Sequence, residues 1–425
     1  MRIATKSIIS WSLYDWANSS FATTVMAGFF PVFFKSYWSA GADVTESTFQ
    51  LGLANSVASI AIMILAPVLG AIADKGGARK KFLLFFTVMG VVMTGGLYFV
   101  ERGMWDLAVL LYMAASIGFA GGNVFYDALL VSVAPQGKLD VVSALGYSLG
   151  YLGGGMLFAV NVAMTLWPQT FGLADAAEAV RVSFVMVAVW WAVFSIPVMV
   201  FVKEPSATQR IATAEMIKGG WQQLVATFHH IRRLRAVWLF LIAYWCYIDA
   251  VDTIIRMAVD YGMALGFDSK SLIVALLITQ IVGFPAALVF GKLGERLGAK
   301  ASVFIAIAVY IGITLWAMAM NKVIEFYVLA VIIGLVQGGI QSLSRSLYAS
   351  MIPADKSGEF FGFYNMLGKF ATVLGPVLMG IVGVLTGKPR LSLLAVVALF
   401  VIGAVVLYFV DVTEGRRGAR LDEGA

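Results

Sequence analysis

The chain has 425 residues, 60% of them hydrophobic and 13% charged, with a mean hydropathy of +0.89. Soluble domains are nearer half apolar and a quarter charged, so a water-soluble fold could not cover this much apolar surface and the excess must face lipid. The net charge of +6 is spread over short connections, which points to membrane orientation and anionic-lipid contact rather than to nucleic acid.

A spanning helix needs ~20 apolar residues. Apolar stretches at 7–36, 47–74, 82–100, 105–134, 140–166, 181–202, 235–262, 270–294, 301–320, 323–352, 358–386 and 391–411 predict twelve such spans. All are expected to be helices, because open strands cannot satisfy their backbone groups in hydrocarbon. The first stretch runs on too far, and without a small-residue cleavage site, to read as a removable signal peptide. Lys75, Arg79, Lys80, Lys81, Arg232, Arg233, Arg235, Arg416 and Arg417 fall on one side, which the positive-inside rule makes cytoplasmic, together with both termini. A polar connector at 203–234 divides the chain. The expected layout is an N-terminal six-helix bundle at 1–202, a C-terminal six-helix bundle at 235–412 and a cytoplasmic tail at 413–425. The single cysteine, Cys246, allows neither a disulfide framework nor a paired-cysteine metal site. His229 and His230 are expected in a solvated connector rather than at a metal.

The two halves repeat each other. Gly70-Ala-Ile-Ala-Asp74-Lys75-Gly-Gly77-Ala-Arg79 closes the second span, and Gly291-Lys-Leu-Gly-Glu295-Arg296-Leu-Gly298-Ala-Lys300 closes the eighth. Leu129, Ser132, Pro135, Lys138 and Gly150 align with Leu347, Ser350, Pro353, Lys356 and Gly368 at a single offset. Two ordered blocks around equivalent connectors predict two pseudo-symmetric copies of one six-helix unit, related about an axis along the membrane normal.

Twelve spans, the central basic connector and the Gly70–Lys81 segment resemble the major facilitator superfamily, whose signature loop joins helices two and three. One residue is inserted here before Arg79, at Gly77-Ala78. Within that superfamily, the run Tyr14-Asp15-Trp16-Ala17-Asn18-Ser19-Ser20-Phe21 is similar to the vacuole-effluxer, autophagy-related permease branch. The resemblance implies two bundles rocking about a central cavity, and a branch associated with amino-acid export from vacuoles. Tyr151 stands where drug/proton antiporters of the superfamily often carry a proline, which argues against a drug antiporter.

Charges inside a span are costly and normally face a bundle interior or a watery path. Asp15 lies ~13 Å inside the first span by helical rise. Asp127 in the fourth span and Arg345 in the tenth are repeat equivalents, and Lys369 in the eleventh has Tyr151 as its counterpart. One half therefore offers carboxylates where the other offers cations. Asp249, Asp252 and Arg256 share a face of the seventh span, with Asp252 and Arg256 at pairing distance. Such a cavity suits a zwitterion: an α-carboxylate at Arg345 or Lys369, an α-ammonium at Asp127 or Asp15. The alternative is that Asp127 and Arg345 pair with each other.

Asp15 is the first choice for a proton carrier, with Asp249 and Asp252 behind it. Tyr14, Asn18, Tyr126, Tyr151, Trp245, Gln280, Gln341 and Asn365 are expected along the substrate path, although each can instead bond a neighbouring helix. Asp74, Arg79, Arg256, Glu295 and Arg296 are expected to gate. Gly146, Gly150 and Gly154 permit close helix approach.

The sequence carries no phosphate-cradling Gly-x4-Gly-Lys-Ser/Thr loop, His-Glu-x-x-His pair or nucleophile elbow. No enzyme activity, cofactor or metal is expected. The reading is a monomeric all-α carrier in a bacterial plasma membrane, moving amino acids or short peptides with protons and surrounded by lipid. An exporter of drugs or amphipathic lipids would instead need a wide apolar cavity. A membrane enzyme or sensor would need a soluble domain or a buried nucleophile–base set.

Overall fold

The computed structural model describes residues 5–40, 44–204, 220–264, 269–386 and 389–422, and some side chains within these, including that of Arg256, lie outside the described residues. Helix follows helix throughout. α1 starts as Lys6–Ser20, where the Oγ1 of Thr5 accepts the N–H of Ile8 at 3.3 Å. It continues through Phe21–Phe29, Phe30–Phe33 and Phe34–Trp38, the first and last of these in wider π-helical turns. Pro31 leaves this ladder one donor short, and wider turns are one way a helix absorbs that. The next elements are α2 (Val44–Gly76), α3 (Arg79–Gly96), α4 (Trp105–Val133), α5 (Leu139–Leu166) and α6 (Ala176–Phe201). After the divide come α7 (Gly220–Arg233), α8 (Arg235–Ala264), α9 (Ser269–Leu297), α10 (Ala299–Ala317) and α11 (Val323–Ala349). The chain closes with α12 (Ser357–Thr386), α13 (Pro389–Tyr408) and α14 (Val412–Asp422).

Among the described residues, 10 helices are long and apolar enough to cross a membrane. α1, with its changing hydrogen-bond pattern, and α12 are not in that set. Val32, Phe85, Val200, Val289 and Leu385 project from the surface, where lipid covers them more favourably than water would. The polar segments contain more helix than the sequence suggested. His229 and His230, expected in a solvated connector, lie on α7, and the His230 ring meets Phe360 edge-on at 5.8 Å. The tail carries α14.

The turns that close α2 and α9 use glycine in the left-handed region, Gly77 at φ 53° and Gly298 at φ 88°. A side chain is strained there, so the glycines matched in the sequence repeat do the same work in both copies. Helices before the divide meet those after it most extensively along four seams, α2 with α12, α4 with α12, α5 with α9 and α5 with α11, and more narrowly where α2 meets α7 and α4 meets α11.

Candidate functional site

A continuous cavity of about 450 Å³ lies between the two sets of helices, within the usual range for a small-molecule site. α1 supplies Asp15, Asn18, Ser19, Ala22, Thr23 and Ala27. Their three- and four-residue spacing makes them one helical face. α5 packs directly beside that face. A Cβ on Gly150 would sit 2.6 Å from the Oγ of Ser19, and one on Gly154 would sit 2.9 Å from the Oγ1 of Thr23. Only glycine allows α1 this close.

The floor is built around Arg345 of α11. Its Nη1 donates to the Oδ1 of Asp127 at 2.9 Å, and its Nε to the Oγ of Ser143 at 2.9 Å. Nη2 donates to the Ser143 carbonyl, also at 2.9 Å. The Oδ2 of Asp15 lies 3.7 Å from Nη1 and accepts from the Tyr126 hydroxyl at 3.1 Å. The guanidinium also faces the rings of Trp11, Tyr126 and Tyr147 at 5.0, 5.3 and 4.4 Å, within cation–π range. Asn365 of α12 donates to the other oxygen of Asp127 at 3.2 Å. This floor ties α4 and α5 to α11 and α12. Two carboxylates share one guanidinium, and Asp15 is the less firmly paired of the two.

Higher up, Asn18 donates to Asn123 at 2.6 Å, the Tyr151 hydroxyl to Gln341 at 3.4 Å, and Gln280 to Thr23 at 2.5 Å. The last two bonds also cross between the two sets of helices.

Below the floor, at the face that carries both termini, the sets are latched twice. Asp74 accepts the backbone N–H groups of Gly358 and Glu359 at 3.0 and 2.8 Å. A carboxylate at the start of α12 satisfies otherwise orphaned donors and complements the helix dipole. Arg79 pairs with Asp74 at 2.6 Å and donates from Nη2 to the carbonyls of Ala354 and Asp355 at 3.2 and 3.0 Å. Both side chains are nearly fully buried. A Cβ on Gly358 would reach 2.5 Å from the Asp74 carboxylate, so glycine is what lets the latch close. The second latch, Lys138 with Glu295 at 2.7 Å, is partly exposed.

The structure brings Asp15, Asn18, Tyr126, Asp127, Tyr151, Gln280, Gln341, Arg345 and Asn365 together at one cavity. It places other sequence candidates elsewhere. Tyr14 is fully buried behind the wall, bonded to Thr87 at 3.1 Å. Trp245 and Lys369 do not line the cavity, and Asp249 and Asp252 do not either. The Asp249 carboxylate is buried between α8 and α12, where it accepts the Gly375 N–H at 3.0 Å. Arg296 is exposed and stands outside both latches. Arg345, expected to offer its fork to a substrate carboxylate, has that fork directed at Asp127 and Ser143.

Ser143, Trp11 and Tyr147 complete the floor and were not singled out from the sequence. The repeat does mark Tyr147, which aligns with Asn365 at the same offset that aligns Asp127 with Arg345. A serine at position 143 carries no comparable signal.

Comparison with known proteins agrees with this architecture. The family described as "Vacuole effluxer Atg22 like" matches residues 40–136 and 135–420. The uncharacterized MFS-type transporter YxiO of Bacillus subtilis is 40% identical over 96% of both chains. Autophagy-related protein 22 of Saccharomyces cerevisiae is 24% identical, covering 98% of this chain and 93% of its own. Among solved structures, the human organic anion transporter MFSD10 superposes with a TM-score of 0.74 at 15% identity, over 95% of this chain and 99% of that one. The proton:xylose symporter XylE gives 0.70 at 12% identity, over 97% and 96%. FucP in the outward conformation gives 0.69 at 13% identity, over 96% and 100%. The chain therefore belongs to the Atg22-like vacuole effluxer family, as a multi-pass transporter of the major facilitator superfamily.

Proposed function

We propose that the protein is a proton-coupled secondary carrier of small ammonium-bearing solutes, namely amino acids or short peptides. Twelve spans in two six-helix bundles, 1–202 and 235–412, alternate access to the cavity around the Arg345 floor. The connector at 203–234, the tail at 413–425 and both termini lie in the cytoplasm of a bacterial plasma membrane, and the carrier works as a monomer. In that orientation the latched face is the cytoplasmic one.

The observation that carries this reading is the charge imbalance at the floor. Asp15 and Asp127 face one guanidinium, and Asp127 holds the shorter contact. An uncompensated charge away from water is costly, so a proton or a substrate ammonium balances Asp15. Exchange of one for the other couples the two fluxes. The same fold serves a proton:xylose symporter, so proton coupling has a precedent on this scaffold. The family's description as an effluxer favours export.

Thermal unfolding of the purified protein with amino acids, dipeptides and sugars tests the substrate class, since a bound ligand raises the midpoint by mass action. The reading expects a shift with amino acids or dipeptides that disappears in Asp15→Asn. A shift only with sugars, or one indifferent to Asp15→Asn, overturns it.

A further inference from the structure

The cavity changes character with height. One face of α11 follows it from Arg345 outward over ~28 Å, at ~1.5 Å per residue. Arg345, Gln341 and Gln337 line its deep part, and Ile333, Ala330, Leu329 and Phe326 line the rest. α9 shows the same gradient, from Gln280 and Thr279 to Leu276 and Ala275. The apolar part is a chamber inside the C-terminal helices rather than a mouth between the two sets. Ile313 and Ala317 of α10, Met320 just beyond it, and Leu393 and Val396 of α13 all touch the cavity.

α10 and α13 pack on α8, α9, α11 and α12, so space that reaches them has passed behind the helices that meet the N-terminal set. Phe326, Leu329, Met320, Leu393 and Val396 are buried. Protein interiors otherwise close-pack, and a space walled by such residues suits an apolar occupant. Among the described residues, no lining group comes from the corresponding N-terminal helices, α3 and α6.

We infer that the substrate is amphipathic: its ammonium-bearing head sits at Asp15, and an apolar extension enters the chamber bounded by Phe326, Leu329, Ala330, Met320 and Leu393. The span from Ile333 to Phe326 makes the chamber ~10 Å deep, and the extension must first pass Gln341 and Gln337 to enter it. This rests on the transport-site reading above and adds to it what the substrate carries beyond its head. The polar floor orients the molecule, while burial of the extension supplies most of the affinity.

Calorimetric titration of the full chain in lipid nanodiscs tests this. The probes are α-amino acids with unbranched side chains from butyl to octadecyl, long enough to cross from the floor into the chamber, and matching n-alkyl glucosides as a head-group control. The inference expects affinity to rise about fourfold per added methylene, equivalent to ~0.8 kcal/mol, and then to level off. Ala330→Leu should move the plateau to shorter chains, and Leu329→Ala should move it to longer ones. Affinity that does not grow with chain length overturns the inference. So does growth that continues without a plateau and ignores both substitutions, because that is partitioning into the bilayer. Absence of binding by every probe overturns it as well. If short amino acids bind without a length effect, the chamber fails while the carrier reading stands. If the plateau and its shifts appear with glucosides alone, the ammonium head fails while the chamber stands.

Discussion

The two sets of helices share matched sequence positions and face the cavity with different walls. Four repeat pairs line it at the same offset: Phe119 with Gln337, Asn123 with Gln341, Asp127 with Arg345, and Tyr147 with Asn365. The matched positions both reach the cavity, and their side chains differ. The N-terminal wall comes from α1, α4 and α5 and is mostly polar. The C-terminal wall draws on α8 to α13 and is hollowed and largely apolar. The latches differ in the same way, since Asp74 is buried against the start of α12 while its counterpart Glu295 makes a partly exposed ion pair. A repeat therefore preserves where a helix turns and where a side chain points. It does not preserve what the side chain does, and function lies in the differences between the copies.

Breaking the Asp127–Arg345 pair attacks that difference where it is greatest. Arg345→Ala leaves two buried carboxylates without their cation, and the expected loss of stability is ~3–5 kcal/mol. Unfolding midpoints in mixed micelles measure it. Adding Asp127→Asn to Arg345→Gln should recover part of the loss, because it leaves one carboxylate, Asp15, without a cation instead of two. A loss no larger than that of an exposed ion pair would mean the floor is not a joint.

The buried latch comes next. Asp74→Ala removes charge-assisted bonds to Gly358 and Glu359, each worth ~1.5–3 kcal/mol, and should open the face that carries the termini. In a Cys246→Ser background, a Ser357→Cys reporter, buried in the closed form, should react faster with a maleimide when Asp74 is lost. An unchanged rate would separate this latch from the conformational equilibrium. Glu295→Ala should have the smallest effect. An exposed pair contributes ~0.2–1 kcal/mol, and the reporter's small response should vanish at high salt. Equal responses from the two latches would erase the asymmetry drawn here.

Much of this architecture was legible in the sequence, for a physical reason. Apolar length marks helices, and a repeat offset places Asp127 opposite Arg345, so their pairing stood as an open alternative before the geometry settled it. Three other features were not legible. The π-helical turns of α1 on either side of Pro31 are a matter of local hydrogen-bond register, which composition does not encode. Tyr14, Trp245 and Asp249 sit on spans with more than one buried face, and spacing along one helix does not say which neighbour a face meets. The chamber is formed by separate side chains of α9, α10, α11 and α13 that each read as ordinary core. Its trace in the sequence is the polar-to-apolar change along α11 and α9, visible once Arg345 is taken as the deep end.

The most direct test of the account measures exchange and accumulation side by side in proteoliposomes. Transport of a radiolabelled amino acid or dipeptide is measured by counterflow without a gradient, and by accumulation against an imposed proton gradient. With Asp15 holding the substrate ammonium and the proton in turn, Asp15→Asn should lose counterflow and gradient-driven accumulation together. Gradient-driven accumulation that persists in Asp15→Asn at the wild-type level would contradict the account.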